Sequence, residues 1–374
     1  MWFWRRRPIN PGPVVLLEPA MGAVTPPLQQ FQLPEVSVTN SGPPDEDGLS
    51  QPEGAGWNPQ MLSPDRSFPQ AVVFRWLPPP ALRGAVRYDV QIGPDAELSA
   101  PLVVRDLAQP FARVRHLLVD CIYHWKVIAL LSGEPVAESR TSVFRTHPAL
   151  PRWIRVAHLT NVRDLGGWPV AGGQRVRQGL AYRSSEMNGH LSLSSEGADT
   201  LQRELGIRTD LDLRGPDEEP SPALAEQFVC HVNIPVLPYD RILLPEMMTA
   251  YARIFETLGQ ANVYPVLMHC WAGADRAGTV AFLLLAALGV ELRDLERDYE
   301  LSSLSLWGER SRHGPAFQAL LGALATYSRS PADSVNTQVA QYLGAAGVKG
   351  ETLERLRLML LEPVPPPLAS AETE

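Results

Sequence analysis

The stretch of sequence that decides the fold lies at residues 263–279 and reads VYPVLMHCWAGADRAGT. Its apolar beginning, up to His269, predicts a buried strand, and the apolar run Thr279–Leu288 that follows predicts a core helix. Between strand and helix stand Cys270 and Arg276, with five residues between them. A short loop at such a junction is typical of an anion-binding site, because backbone N–H groups and the helix N-terminus converge on its centre.

The residue types in this loop predict a phosphate site that contains a nucleophile. Arg276 can grip two phosphate oxygens with its planar guanidinium, and Gly273 lets the backbone approach the oxygens without a Cβ. The helix N-terminus and the arginine also stabilise the thiolate of Cys270, which can then attack phosphorus and form a cysteinyl-phosphate that water hydrolyses. No cofactor or metal is expected, because the loop amides and the arginine supply the charge stabilisation. The residues expected to bind phosphate are Trp271, Ala272, Gly273, Ala274, Asp275 and Arg276, with His269 and Gly278 in support.

The loop and several other segments resemble the protein tyrosine phosphatases. Residues 269–278 fit the signature HCxxGxxRxG of that family, and Asp275 directly before the arginine is typical of the bacterial group that resembles mycobacterial tyrosine phosphatase B. The resemblance extends over roughly 210 residues, which is a full domain. It implies a cysteine-phosphatase fold and hydrolysis of phosphotyrosine, with other phosphomonoesters as an extension. The further segments that carry it are Asn161–Gly167, Val176–Ser185, Gly206–Glu218 and Tyr299–Ser302.

Two positions depart from the pattern of the resembled family. Ala274 stands where that family has a lysine, and this removes a cation that favours highly charged substrates such as phosphoinositides. Ala277 stands where a hydroxyl residue usually hydrogen-bonds the sulfur as it leaves phosphorus. A phosphotyrosine phosphatase is the leading prediction. A phosphoinositide or inositol-phosphate phosphatase is the second, and a pseudophosphatase that only binds phosphorylated ligands is the third.

The acid that protonates the leaving group has more than one candidate. Asp275, within the loop, is favoured. Asp240 is the rival, because it follows a predicted strand at the distance from the cysteine where dual-specificity phosphatases carry a mobile acid. Asp212, at the end of another predicted strand, is the third candidate. Alternatively, Asp212 and the nearby Arg214 form a structural brace.

Two other features have a structural explanation beside a functional one. Arg163 and Asp164, next to a two-glycine turn, are predicted to form a structural ion pair. Trp271 is unusual within the loop. The sequence leaves open whether it walls the mouth of the site against an aromatic phosphoester or only packs there.

The pattern of the whole chain predicts two folded domains. The alternation of strands and helices over residues 150–362 predicts an α/β domain with a central, mostly parallel sheet flanked by helices. A small all-β sandwich is predicted to precede it over residues 68–147, where short period-two segments are separated by turns. For the aromatic residues of this sandwich we favour plain core packing, and docking of a protein or glycan partner is the alternative. The predicted sandwich resembles a fibronectin type III domain through four of its aromatic residues, Trp76, Tyr88, Tyr123 and Trp125.

Composition and charge narrow the function further. Residues 1–67 and 363–374 are rich in Pro, Gly, Ser and acidic side chains and are predicted to be disordered. The net charge of −8 argues against a nucleic-acid partner, because such partners require basic patches. Three cysteines are too few and too scattered for a disulfide framework, so a reducing, cytoplasmic location is expected. No apolar stretch is long enough for stable membrane insertion, although export by a route without such a signal leaves no mark of this kind.

Overall fold

The computed structural model describes residues 11–29 and 64–366 of the 374-residue chain, and these residues form two compact units. The first unit contains residues 11–28, 70–149 and 365–366, and the second contains residues 29, 64–69 and 150–364. Among the helices of these ranges, none has the length and apolar character needed to cross a membrane.

The first unit is a sandwich of two sheets. Its strands are β1 (Val15–Glu18), β2 (Ala23–Val24), β3 (Val72–Leu77), β4 (Val86–Gly93), β5 (Leu102–Leu107), β6 (Phe111–Val114), β7 (Ile122–Leu131), β8 (Glu134–Glu138) and β9 (Ser142–Arg145). One sheet has the antiparallel order β1-β3-β6. The other has the order β2-β9-β7-β4-β5, with β8 paired to β7, and only the β2–β9 pair in it is parallel.

The core of the sandwich is built from side chains that alternate along the strands. In β3, Val72, Phe74 and Trp76 are buried while the residues between them face outward, as the period of two predicts. The ring of Phe74 lies edge-on to that of Trp125 at 5.0 Å between centroids, and Trp76 contacts Tyr88 in the same way at 5.3 Å. Such pairs add stabilisation beyond the area that they bury.

The expectation that residues 1–67 and 363–374 are disordered needs correction where the structure describes them. Val15–Glu18 and Ala23–Val24 are strands of the sandwich, one in each sheet, so a sandwich limited to residues 68–147 is too short. Short strands at sheet edges, set among prolines and glycines, carry too weak a pattern to be detected. At the other end, the strand Leu361–Pro363 extends one residue beyond the predicted domain end at residue 362. Residues 1–10, 30–63 and 367–374 lie outside the described residues.

The second unit confirms the predicted α/β fold. Its strands are β10 (Arg163–Asp164), β11 (Pro169–Val170), β12 (Gln174–Val176), β13 (Ala181–Ser184), β14 (Thr209–Asp212), β15 (Cys230–Asn233), β16 (Val266–His269) and β17 (Leu361–Pro363). The central sheet has the order β10-β13-β16-β14-β15, in which all neighbours are parallel except β10 and β13. A small antiparallel sheet has the order β11-β12-β17.

Seven helices accompany this sheet in the described part of the chain. They are α1 (Ser195–Asp199), α2 (Pro245–Leu258), α3 (Arg276–Leu288), α4 (Leu292–Leu301), α5 (Pro315–Ala325), α6 (Val335–Ala345) and α7 (Gly350–Leu360). Every residue of α3 after Arg276 is buried, because the helix packs against β13 and β16 on one side and against α4, α6 and α7 on others. This explains why its sequence is apolar all round. Gly289, with φ +102°, ends the helix in the left-handed region.

A short strap, residues 64–69, belongs to the second unit although it lies between strands β2 and β3 of the sandwich in sequence. The Ser67 hydroxyl accepts a hydrogen bond from the Asn161 N–H at 2.9 Å and lies 3.2 Å from the Thr160 hydroxyl. The Arg66 N–H donates to the Leu304 carbonyl at 2.7 Å. A phosphatase domain limited to residues 150–362 therefore omits a buried part of its own structure.

Replacing Ser67 with alanine is expected to lower the free energy of unfolding of the second unit by about 1–3 kcal/mol, because the buried Asn161 N–H then has no acceptor. Chemical denaturation of the purified chain, followed by a probe in the second unit, measures this change. An unchanged midpoint and slope would show that the strap does not contribute to stability.

Candidate active site

Cys270 lies at the carboxyl edge of the central sheet, directly after β16, and only 2% of its surface is exposed. On either side of β16, Ser184 at the end of β13 and Asp212 at the end of β14 are in register with His269. Open α/β sheets collect their ligand-binding loops at this edge. Residues 271–275 lead from the strand into α3, and the N-cap residue of α3 makes no side-chain capping bond, so the first turn of the helix is open to an anion.

The carbonyl groups of residues 271–275 are all held by hydrogen bonds. In a trans peptide the N–H that follows a carbonyl points the opposite way, so the N–H groups of residues 272–276 point away from the donors that hold these carbonyls. Within the described residues, no protein acceptor is found for the N–H groups of residues 271–275. This is the arrangement of an anion-binding nest. The donors are the Glu186 N–H to Trp271 (3.0 Å), the Asn161 side-chain amide to Ala272 (3.1 Å), the Arg183 guanidinium to Gly273 (2.6 and 3.0 Å) and Ala274 (3.1 Å), and the Thr279 N–H to Asp275 (2.7 Å).

A buried charge network lies beneath the loop. Arg183 in β13 also donates to Asp298 of α4 at 2.7 Å, and Asp298 accepts from Arg163 at 2.9 Å. The predicted ion pair between Arg163 and Asp164 is wrong, because neighbouring residues of a strand point to opposite faces. Asp164 pairs instead with Arg152 at 2.7 Å. Neither Asp298 nor Arg183 is among the site residues that the sequence predicts, although Arg183 stands in a segment that carries the family resemblance.

Two glycines, one in the loop and one in α3, are required by close contacts. Gly273 has φ +68°, and a Cβ there would lie 2.3 Å from the Ser184 carbonyl oxygen. At Gly278 a Cβ would lie 2.8 Å from a terminal nitrogen of Arg183. Both glycines therefore let the loop and α3 approach β13, in addition to any approach of the backbone to a ligand.

Arg276 is held in place by a carboxylate that the sequence analysis did not assign. Its guanidinium donates to both oxygens of Glu218, with Nη2 at 2.8 Å from Oε1 and Nη1 in contact with Oε2. Glu218 also accepts from the Gly215 N–H at 2.9 Å. Burial acts to raise the pKa of Glu218, but its bonds with Arg276 outweigh this and lower the pKa. The signal for it in the sequence is the acidic pair Asp217 and Glu218 after a predicted strand end.

Asp275 lies beside Arg276 at the start of α3, and its carboxylate is fully engaged. Arg310 approaches it with two nitrogens, Nε to Oδ1 and Nη2 to Oδ2, both at 3.0 Å. The Tyr239 hydroxyl donates to Oδ1 as well. Burial acts to raise the pKa of Asp275, but the charge and hydrogen bonds of Arg310 and the bond from Tyr239 lower it overall. The favoured acid of the sequence analysis is therefore held in its ionised form in this structure.

Asp240, the rival acid, lies in a single 3-10 turn, Tyr239–Leu243, and its side chain is exposed. Within the described residues its carboxylate makes no hydrogen bond or ion pair with the loop. Its neighbour Tyr239 is the residue of this turn that reaches the site, because φ of +59° at Tyr239 turns the chain there. The structure thus brings Asp275 to the loop and leaves Asp240 at the surface.

His269 and Asp212 support the loop from below. His269 is 1% exposed and its Nε2 lies 2.9 Å from Asp210, an aspartate that the sequence analysis did not single out. Burial lowers the pKa of His269, but Asp210 more than compensates and the net direction is upward. Asp212 and Arg214 form a buried ion pair at 2.7 Å, which is the predicted brace.

In the described ranges no group of three or more His, Cys, Asp or Glu side chains is placed to hold a metal ion.

Trp271 is half-buried at the rim of the loop. Its Nε1–H donates to Nδ1 of His190 at 2.7 Å. Its ring stacks at 4.3 Å between centroids on Trp307, which belongs to the segment between α4 and α5. Of the two readings left open by the sequence, packing accounts for these contacts, since one face and the N–H of the indole are both occupied.

Ala274 and Ala277, the two residues that depart from the pattern of the family, are both buried. Neither position therefore carries a charge or a hydroxyl. The nearby hydroxyl of Thr279 accepts a hydrogen bond from the Tyr239 N–H at 3.3 Å. Thr279 therefore helps to hold the turn that presents Tyr239 to Asp275.

The fold and this loop define a cysteine-phosphatase domain. The chain belongs to the tyrosine phosphatase family, because the model of that family matches residues 154–362, more than half of the sequence. This confirms the resemblance that the motifs indicated.

Parts of the chain are similar to curated phosphatases, and another part was matched to a solved structure. A Cupriavidus necator protein named as a tyrosine-protein phosphatase is 36% identical over 168 residues, which are 38% of this chain and 59% of the relative. The triple specificity protein phosphatase PtpB of Mycobacterium tuberculosis is 31% identical over 121 residues, 26% of this chain and 44% of the relative. The chain spans about half the length of the curated relatives it matches. A human fibronectin type III domain shares 21% identity over 26% of this chain and 78% of its own, with a TM-score of 0.20.

Proposed function

We propose that this protein is a phosphatase that hydrolyses phosphotyrosine, and other phosphomonoesters to a lesser extent, through a cysteinyl-phosphate on Cys270. The observation that carries the proposal is the loop after Cys270, in which five consecutive carbonyls are hydrogen-bonded while the N–H groups of residues 271–275 have no protein acceptor among the described residues. Such a nest, with Arg276 beside it, stabilises the three equatorial oxygens of a phosphoryl group in the transition state.

The reaction proceeds in two displacements at phosphorus. The thiolate of Cys270 attacks phosphorus, the bond to the ester oxygen breaks, and the leaving oxygen takes a proton from Asp275. Water then attacks phosphorus, gives its proton to the Asp275 carboxylate, and the S–P bond breaks to release phosphate and the thiolate. Glu218 holds Arg276 so that its planar fork is already oriented for two phosphate oxygens.

The charge balance around the loop favours phosphotyrosine over phosphoinositides. Arg276 and Arg310 are paired with the carboxylates of Glu218 and Asp275 respectively. Arg183, which bonds to the loop carbonyls, is paired with Asp298. With Ala274 in place of a lysine, no further cation lies within the loop. A substrate with several phosphates gains little here beyond the one phosphoryl group that the nest binds.

Compartment and partners are proposals as well. The three cysteines, Cys121, Cys230 and Cys270, form no disulfide, and a reducing cytoplasm protects the nucleophile from oxidation. Docking of a protein or glycan partner by the sandwich is supported by exposed apolar side chains on its three-stranded sheet. These side chains are Val15, Leu17, Leu77 and Phe111.

A substrate panel tests the proposed function. Purified protein should turn over nitrophenyl phosphate, and its kcat/KM for phosphotyrosine peptides should exceed that for phosphoinositide vesicles. A higher kcat/KM on phosphoinositides would show that they, and not phosphotyrosine peptides, are the substrate class. Binding of phosphopeptides without any turnover would establish a binding protein instead of an enzyme.

Replacing Asp275 with asparagine is expected to slow hydrolysis of phenyl phosphate much more than that of nitrophenyl phosphate. A basic leaving group needs the proton, whereas the nitrophenolate leaves unaided. The substitution should also flatten the basic limb of the pH–rate profile. Steady-state kinetics on both esters measure the ratio.

Asp240→Asn is the matched control, because it removes an exposed carboxyl of the same type from the neighbouring turn. Affinity for inorganic phosphate checks that Asp275→Asn leaves the loop intact. If Asp240→Asn shows the leaving-group dependence and Asp275→Asn only weakens phosphate binding, the acid is Asp240.

A further inference from the structure

The segment between α4 and α5 is attached to the phosphate loop at two points. Trp307 stacks on Trp271 near one end of the loop, and Arg310 binds Asp275 at the other. The segment is not helical, since α4 and its following 3-10 turn end at Leu304 and α5 begins at Pro315. Its conformation therefore depends on its own hydrogen bonds, on these two contacts and on bonds to other elements. Those bonds run from the Leu306 N–H to the Thr160 hydroxyl at 3.4 Å and from Arg312 to α4.

Arg310 is anchored within this segment. Its N–H donates to the Ser303 hydroxyl at 2.7 Å, and that hydroxyl donates back to the Arg310 carbonyl at 3.0 Å. The remaining guanidinium nitrogen, Nη1, donates to the Glu309 carbonyl at 3.1 Å. A side chain tied at both ends in this way presents its fork to one place, and that place is the Asp275 carboxylate.

The contacts of Asp275 decide which of its two protonation states is stable. Both oxygens accept hydrogen bonds from Arg310, and Oδ1 accepts another from the Tyr239 hydroxyl, which lies 3.2 Å from the hydroxyl of Tyr299. A proton on either carboxyl oxygen of Asp275 would point at an N–H of Arg310, and two donors cannot form a hydrogen bond with each other. An acid that must give a proton to a leaving group is thus held as its conjugate base.

We propose that Arg310 is a positioning residue that limits the acid function of Asp275. This inference rests on the proposed phosphatase function and on Asp275 as its acid. With Arg310 in place, the proton for the leaving group comes from the minor population in which Asp275 is protonated. Activated esters, which need no proton, are then hydrolysed readily, while esters with basic leaving groups are hydrolysed slowly. Movement of the segment that carries Arg310 would release the acid.

The direction of the pH dependence of phenyl phosphate hydrolysis follows from the protonation state in which Asp275 acts. Asp275 acts while protonated, so activity on phenyl phosphate falls as the pH rises through its pKa. Arg310 lowers that pKa and moves this limb to lower pH. Removing Arg310 should move the limb to higher pH and raise the rate on phenyl phosphate about 10-fold for each pH unit of displacement, since the protonated fraction above the pKa changes by that factor.

The test compares Arg310→Gln with Arg312→Gln in the full chain. Arg312 belongs to the same segment but bonds to Glu296 and Glu300 of α4, away from the loop. Arg310→Gln should raise the ratio of phenyl to nitrophenyl phosphate turnover and shift the basic limb upward, whereas Arg312→Gln should change neither. The double variant Asp275→Asn with Arg310→Gln should show no gain over Asp275→Asn alone, because Arg310 acts through Asp275.

Two further measurements keep the inference testable. Carbon NMR titration of the aspartate carboxyls, with Asp275 assigned by its asparagine variant, follows the pKa without any turnover, so a failure of the proposed function is distinguished from a failure of this inference. Arg310→Lys retains a cation and should give an intermediate shift if Arg310→Gln does not fold. An Asp275 titration that is unchanged in the variants, or an equal loss of turnover on both esters, would overturn the proposal.

Discussion

Replacing Cys270 with serine is expected to abolish turnover of aryl phosphates while the variant still binds inorganic phosphate. The nest of backbone N–H groups and Arg276 remain, so the anion site survives the change. A serine hydroxyl is not ionised at neutral pH and lacks the nucleophilicity of a thiolate. Kinetics with nitrophenyl phosphate and calorimetric titration with phosphate measure the two properties separately.

Cys230→Ser provides the control, because this second cysteine is exposed on β15 and should be replaceable without loss of turnover. Wild-type activity in a verified Cys270→Ser preparation would exclude Cys270 as the nucleophile. Loss of phosphate binding together with turnover would show that the side chain also maintains the loop.

Arg276→Lys is expected to reduce kcat about 10²–10³-fold. This is the loss that follows when one preorganised donor to a transition-state charge is removed, and it corresponds to about 2.7–4 kcal/mol of transition-state stabilisation. A lysine ammonium is a single flexible point of charge and cannot bind two oxygens at fixed positions. It also cannot reproduce the two bonds to Glu218. Steady-state kinetics on nitrophenyl phosphate measure the loss, and phosphate affinity reports the part that arises in the ground state.

Glu218→Gln tests the origin of that effect. It keeps Arg276 but weakens the ion pair that orients it, so the loss should be smaller than in Arg276→Lys. Near-normal kcat/KM in Arg276→Lys would mean that the guanidinium does not grip the transferring phosphoryl group.

The loop could be predicted from the sequence because its residues are local. The spacing of Cys270 and Arg276 at a strand-to-helix junction indicates both the phosphate loop and the start of α3. The parallel sheet followed from alternating strand and helix patterns in the same way.

The partners of these residues could not be predicted, because they come from distant segments. Glu218 reaches Arg276 from a turn after β14, Asp298 reaches Arg183 from α4, and Arg310 reaches Asp275 from beyond α4. Only folding brings such groups together, and a charged residue on a loop looks the same in sequence whether it is solvated or paired.

The error at Arg163 has a similar cause. Adjacent opposite charges suggest a pair, but the strand sends them to opposite faces, where Arg163 meets Asp298.

The central claim is that turnover passes through a phosphoryl group bonded to the sulfur of Cys270. Rapid acid quench of the enzyme during hydrolysis of nitrophenyl phosphate, followed by digestion and peptide mass analysis, locates any trapped phosphoryl group. The account predicts that it lies on the peptide that contains Cys270 and that it is missing from Cys270→Ser. Sustained turnover by the wild-type protein with no phosphoryl group on that peptide, or with the group on another residue, would contradict it.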